Sequence, residues 1–211
     1  MRKLISTTMV SLDGVMQAPG GPEEDPTGGF SFGGWSFPYW DDAPDRDMRG
    51  LDGKDRELLL GRRTYEIFEA YWPYQAADSP LAQALNAAKK HVASRTLKKV
   101  QWNNSTLLRG HAVAAVAALK AEAGLDLQII GSGNLIQALQ AATLIDEYNL
   151  WTFPVVLGRG KRLFEAGAKP GALRLAASQP SATGVVMSQM ASATSRSWIW
   201  PPQRSKKLNK R

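Results

Sequence analysis

Three short segments carry side chains suited to holding phosphate: Gly61-Arg62-Arg63-Thr64, Ser94-Arg95-Thr96 and Gly131-Ser132-Gly133-Asn134-Leu135. Arg95 offers a planar guanidinium fork that matches phosphate oxygens, and Ser94 and Thr96 add hydroxyl donors. In the third segment glycines permit a sharp turn and a close approach by another group. The first N–H groups of the helix that follows lack partners within it and sit at the positive end of its dipole, a favourable place for phosphate. Taken singly, each segment also reads as ligand-free: a tight strand-to-helix turn, a solvent-facing arginine at 95, surface ion pairs at Arg62 or Arg63. Taken together, they can converge on one elongated anion, because ligands of open α/β sheets sit beyond the carboxyl ends of the strands. A dinucleotide with a phosphate on its adenosine ribose would use all three. The third segment is not the common fingerprint G-x-G-x-x-G/A, since Ile136 occupies its third small position.

A second group of residues could meet a substrate. Asp13, at the end of the first apolar run, reads either as a group contacting substrate or relaying a proton, or as an Asp-Gly turn residue. Trp35 and Phe37 read either as an apolar wall for a flat ring or as anchors of the loop that carries them. Arg159, Lys161 and Arg162 flank glycines in a turn that reads as exposed, with binding of a substrate phosphate as the alternative. His91, on a strand, and His111, at a helix start, read as structural, and Asn134 as a helix-start residue.

Apolar patterning supplies the elements that must position these groups. Strands are expected at Leu4–Val10, Leu58–Leu60, His91–Ser94, Thr106–Leu108, Leu127–Ile130, Glu147–Phe153, Leu173–Ala176 and Val185–Ala191. Helices follow Gly61 as far as about Pro73, start at Ser79-Pro80 (Ser at N-cap, Pro at N1), run from His111 to Ala123 before Gly124, and follow Gly133. Asp41–Leu51 reads as a further short helix, confined by Pro44. Gln17–Trp40 is rich in Gly, Pro and aromatic residues, and a loop of that length is typically a lid or a binding loop. Strands alternating with helices, then strands alone, predict an α/β fold with an antiparallel C-terminal edge. Residues 1–191 are expected to form one domain and 192–211 a basic tail.

The totals exclude several classes. With no cysteine there is neither a disulfide framework nor a thiol nucleophile, and a thiolate metal site is impossible; two histidines far apart make no metal-ligand spacing. No window approaches the length of a membrane span, and the N-terminus is too polar for a signal peptide. A cytoplasmic location is expected. Of the +7 formal charge, five come from Arg204, Lys206, Lys207, Lys210 and Arg211, leaving the body nearly neutral, so a nucleic-acid partner is not expected.

The segments L-L-L-G-R-R-T-Y-E, H-V-A-S-R-T-L, I-I-G-S-G-N-L-I and F-P-V-V-L-G-R-G-K-R-L-F resemble the dihydrofolate reductase-like family that includes the reductase domain of bacterial riboflavin biosynthesis. S-L-D-G-V-M-Q-A-P-G-G-P-E-E-D and G-G-W are similar to small stand-alone members, and the resemblance runs from Arg2 to about Ala191. It implies a three-layer fold with a mixed, mostly parallel sheet flanked by helices, NADPH as cofactor, and a homodimer. It also implies pyrophosphate on the turns at Gly61-Arg62 and Gly131–Leu135, and a ribose 2′-phosphate at Ser94, Arg95 and Thr96. The expected activity is hydride transfer from NADPH to a small pterin- or pyrimidine-like substrate beneath the 17–40 loop. The alternative is a non-catalytic NADP(H)-binding protein with a basic arm. Two departures stand out. Asp41, Asp42, Asp45 and Asp47 give no clear match to the carboxylate that holds a pterin in dihydrofolate reductases proper. A zinc deaminase, to which the riboflavin enzyme is often fused, needs ligands this chain lacks.

Overall fold

The computed structural model describes residues 1–40 and 56–193; the expected helix at 41–51, its four aspartates and the basic tail from 194 lie outside the described residues. All eight expected strands join one sheet: β1 (Leu4–Ser11), β2 (Arg56–Gly61), β3 (Lys90–Ala93), β4 (Ser105–Leu108), β5 (Asp126–Ile130), β6 (Glu147–Phe153), β7 (Leu173–Pro180) and β8 (Val186–Ser192). Their order is β4-β3-β2-β5-β1-β6-β8-β7. Pairing is parallel from β4 through β6, while β8 runs antiparallel to both β6 and β7. β8 reaches Ser192, whose hydroxyl donates to Ile145 O at 2.7 Å, so the strand claims the first residue expected of the tail.

Four helices are described: α1 (Arg62–Tyr71), α2 (Pro80–Ala87), α3 (Ala112–Ala121) and α4 (Gly133–Ala141). The three consecutive leucines of β2 show why both faces of the sheet need cover. Leu59 packs with Leu127, Ile129 and the α3 and α4 residues Val116, Leu119, Ile136 and Leu139. Leu58 and Leu60 point the other way, to Tyr65 of α1 and Leu85 of α2. An unbroken apolar run is what a parallel strand buried on both faces requires. Each of those leucines, fully buried, stabilises the fold by about 1.5–3 kcal/mol relative to exposure. Helix α3 ends at Ala121, short of the expected Ala123. Gly124 instead sits under the Arg2 guanidinium, which a Cβ there would meet at 3.0 Å.

The 17–40 segment lies on the β6 side of the second face. Trp35 is buried, edge-on to Phe153 with centroids 5.3 Å apart, and its Nε1 donates to Gln17 O at 2.7 Å. Tyr39 also meets Phe153 edge-on, and Trp40 leans on Trp151. The aromatic residues make this loop part of the core. It forms a fixed wall.

Candidate functional site

The carboxyl ends of β1, β2, β3 and β5 open onto one cleft of about 1330 Å³. Drug-sized pockets occupy roughly 300–1,000 Å³, so this one has room for a dinucleotide and a small second molecule. It runs from Ser94–Thr96 after β3, across Gly61–Thr64 after β2 and Gly131–Leu135 after β5, to Thr7, Thr8 and Met9 of β1 and the loop residues Met16–Asp25. Since β3 and β1 are three strands apart in sheet order, the cleft spans roughly 14 Å between them at the usual inter-strand spacing.

All eleven residues expected to bind the cofactor line this cleft: Gly61, Arg62, Thr64, Ser94, Arg95, Thr96, Gly131, Ser132, Gly133, Asn134 and Leu135. Two of the three turns interlock. Ser132 Oγ accepts from Gly61 N at 2.9 Å and donates to Ile130 O at 3.2 Å, while Ser132 N donates to Thr64 Oγ1 at 3.0 Å. Those three bonds hold Ser132 in a left-handed conformation (φ 61°) that a serine adopts only when its surroundings over-determine it. Gly131 is left-handed too, and a Cβ there would come within 3.2 Å of Thr64 Oγ1. At α4, the N–H groups of Leu135 and Ile136 close onto Ser132 O, whereas those of Gly133 and Asn134 have no partner among the described residues. At the β3 end, Ser94 Oγ accepts from Thr96 N and Leu97 N, which shapes the turn that presents exposed Arg95.

Of the residues expected to meet substrate, Phe37 lines the cleft and is 59% exposed. Trp35 does not line it, being committed to Phe153 and Gln17. Asp13 also lies outside the lining. Its carboxylate accepts from Ser11 Oγ (2.7 Å), Leu157 N (3.1 Å) and Gly158 N (2.9 Å) and pairs with Arg162 at 3.3 Å. The Ser11 hydroxyl above all, then those backbone amides, pull its pKa down to about 2. Asp13 fastens the end of β1 to the 157–162 turn. His91 sits toward the opposite ends of the strands, with Nε2 on Glu57 Oε2 at 2.6 Å. His111 is the N-cap of α3 and lines the cleft.

Sequence reasoning passed over the carboxylates and the amide of the loop. Asp25 accepts from Lys161 Nζ at 2.6 Å and from Thr27 Oγ1 at 2.5 Å; burial alone would raise its pKa, but these bonds override it and hold the carboxyl low. Gln17, buried, donates to Asp25 O and Thr27 O and accepts from Lys161 N, tying the loop to the 158–162 turn. Glu24 lines the cleft, accepts from Gly20 N at 2.6 Å, and has its pKa raised by burial. The signal available in the sequence was G-G-P-E-E-D, adjacent acids in a loop with apolar anchors on both sides.

The residues present fit a dinucleotide. Helices α1, α3 and α4 all begin at the cleft, and none has a side-chain cap. Each leaves its positive dipole end open to an anion. Among the described residues there is no cluster suited to a metal ion, and no helix is long and apolar enough to cross a membrane.

Comparison with known proteins agrees with this architecture. Residues 2–187 match the model of the RibD C-terminal domain. An uncharacterised Bacillus subtilis protein, YyaP, is 26% identical over 166 residues, covering 77% of this chain and 80% of its own. Among solved structures, a putative riboflavin biosynthesis protein from Shewanella superposes with a TM-score of 0.62 at 22% identity, covering 92% of this chain and 100% of the other. Dihydrofolate reductase from Enterococcus faecalis, in complex with NADP(H) and RAB-propyl, gives 0.58 at 13% identity over 91% and 97% of the two chains. The fold is dihydrofolate reductase-like.

Proposed function

The chain belongs to the RibD C-terminal domain family, and from that premise we propose that it is an NADPH-dependent reductase of a small pyrimidine- or pterin-like heterocycle. One observation carries the reading. Five lysine and arginine side chains line the cleft, and Arg95 alone has no acidic partner among the described residues. An unpaired guanidinium beside the Ser94 and Thr96 hydroxyls suits a ribose 2′-phosphate. The open starts of α1 and α4 between Arg95 and β1 suit the pyrophosphate. Bound NADPH would supply the hydride. The chain's own part is to orient the dinucleotide along the strand ends, to wall the β1 end with Phe37 and Trp40, and to exclude water there.

The test is a fluorescence titration with NADPH and NADH. NADPH is expected to bind at least tenfold more tightly, and equal affinity, or none, removes the assignment of Arg95. A cytoplasmic homodimer completes the proposal. All eight residues of edge strand β7 are exposed, including Leu173 and Leu175, a surface that a second copy would cover. Sedimentation as a monomer at micromolar concentration would refute that part.

A further inference from the structure

Two neighbouring residues in the first turn of α1 hold segments that lie far apart in the chain. Thr64 Oγ1 accepts from Ser132 N at 3.0 Å and so fixes the turn after β5. The next residue, Tyr65, holds the segment after β3. It is buried, 1% exposed, and its hydroxyl oxygen accepts from Gln101 N at 2.8 Å and Trp102 N at 3.0 Å. The same hydroxyl donates to Glu69 Oε1 at 2.7 Å, one helical turn further on. That carboxylate oxygen also accepts from Gln101 N at 3.2 Å and Trp102 N at 3.0 Å. Burial raises the phenol's pKa, so it keeps the proton it donates.

The backbone at 101 and 102 closes the segment that opens at Ser94. Ser94 Oγ accepts from Thr96 N and Leu97 N at the near end. Leu97 and Val100 pack against the cluster of Leu58, Leu60 and Leu85, and buried Trp102 joins it with Nε1 on Asn86 Oδ1 at 2.7 Å. Exposed Arg95 therefore rides on a segment tied to β3 at one end and to α1 at the other. The plain alternative is that Tyr65 only satisfies two amides. Glu69 already reaches both of them, so what the phenol adds is stiffness. Its ring is fixed by the core, whereas the longer, half-buried glutamate has more rotamer freedom to lose.

We propose that Tyr65 is a positioning residue for the dinucleotide. Through its hydroxyl it sets the spacing between the Ser94–Thr96 turn and the turns at Gly61–Thr64 and Gly131–Leu135, so that a ribose 2′-phosphate and a pyrophosphate are held at once. The proposal rests on the preceding reading of those turns and adds the residue that registers one against the others. Two sites on one ligand reinforce each other only when their separation matches it, so a change of spacing weakens joint binding and leaves each site intact.

NMR titration of the full chain with 2′-AMP, NADH and NADPH tests this, since the first carries only the ribose phosphate, the second only the pyrophosphate, and the third both. Tyr65→Phe keeps the ring and is expected to weaken NADPH roughly threefold; Tyr65→Phe with Glu69→Ala, which strips both amides of their side-chain acceptors, should weaken it roughly tenfold. NADH and 2′-AMP should stay within about twofold of wild type in both variants. Glu69→Gln keeps an oxygen for the Tyr65 hydroxyl and should bind NADPH as the wild type does. Ser79→Ala lowers stability at a helix start outside the cleft and should leave all three ligands unchanged, which separates stability from spacing. Equal weakening of NADPH and NADH would make Tyr65 a packing residue, and equal weakening of NADPH and 2′-AMP would confine its effect to the Arg95 turn. Either result, or unchanged NADPH binding in Tyr65→Phe and in the double variant, overturns the proposal. A wild type that ignores 2′-AMP and binds NADPH no more tightly than NADH overturns instead the reading of the β3 end, and the proposal falls with it.

Discussion

Helix α2 has Ser79 at its N-cap, outside the cleft lining although Leu81 of its first turn reaches it, and the Ser79 hydroxyl accepts from Ala82 N at 3.3 Å with Pro80 in the first turn. Helices α1, α3 and α4 begin at the cleft on Gly61, His111 and Ser132, and no side chain caps them. A cap satisfies one of the orphan donors at a helix start and is worth about 1 kcal/mol. Three helices around one cleft forgo it, so their donors and dipole ends remain for something else. Ser132 sharpens the contrast. It is a residue type that caps, yet its hydroxyl is turned to Gly61 N and Ile130 O. It serves the neighbouring turn and leaves its own helix open.

The largest expected effect tests what the open starts are for. Arg95→Ala should weaken NADPH binding roughly ten- to a hundredfold, as expected for loss of charge-assisted bonds, and leave NADH unchanged. A uniform loss for both dinucleotides would place Arg95 outside the 2′-phosphate site. Next, Asn134→Asp sets two effects against each other. A carboxylate in the first turn of α4 should stabilise the unliganded protein by about 0.3–1 kcal/mol through the helix dipole. It should also repel a bound pyrophosphate and weaken NADPH about tenfold, equivalent to roughly 1.4 kcal/mol. A variant that gains stability and keeps its affinity would mean that no phosphate lies there.

How much of this was legible beforehand differs by region for physical reasons. The parallel strands and the turns after them were readable because Leu58–Leu60 and Leu127–Ile130 are buried runs ended by glycine, and such runs have few alternatives. The Ser79-Pro80 start was readable because capping is local chemistry. Trp35 was ambiguous because an aromatic residue in a long loop packs equally well on a core or on a ligand; the register that brings Phe153 to it is a long-range fact. Asp13 was ambiguous for the same reason, since its partners at 157, 158 and 162 are about 145 positions away in the chain. Glu24 went unread because the environment that raises its pKa is three-dimensional. Charge pairing within the cleft, which singles out Arg95, is likewise invisible until the carboxylates have been placed.

The capped helix supplies a smaller effect of opposite kind. Ser79→Ala should cost about 1 kcal/mol of stability and lower the melting temperature by a few degrees. Because Ser79 does not line the cleft, NADPH affinity should be unchanged. Thermal unfolding with and without NADPH checks both halves. An affinity loss matching that of Asn134→Asp would break the distinction between the two classes of helix start.

The smallest effect concerns Asp13, a carboxylate used by the fold and withdrawn from the cleft. Its pKa in the folded chain, about 2, lies below the ordinary 3.8. The unfolded chain therefore binds the proton more readily over that interval, and folding gains from the ionised form wherever pH is above about 4. The gain fades as pH falls from about 4 toward 2. Urea unfolding of the wild type and Asp13→Asn should thus differ by a constant amount between pH 5 and 7, and the two should draw together below about pH 4. In the same variant NADPH affinity should stay within twofold, because Asp13 itself lies outside the cleft lining and touches it only through Arg162, toward the end of the cleft away from Arg95. If turnover of a reducible substrate collapsed while stability and affinity held, Asp13 would belong to the reaction after all, and the division between groups used by the fold and groups left open for ligands would have to be redrawn at the end of β1.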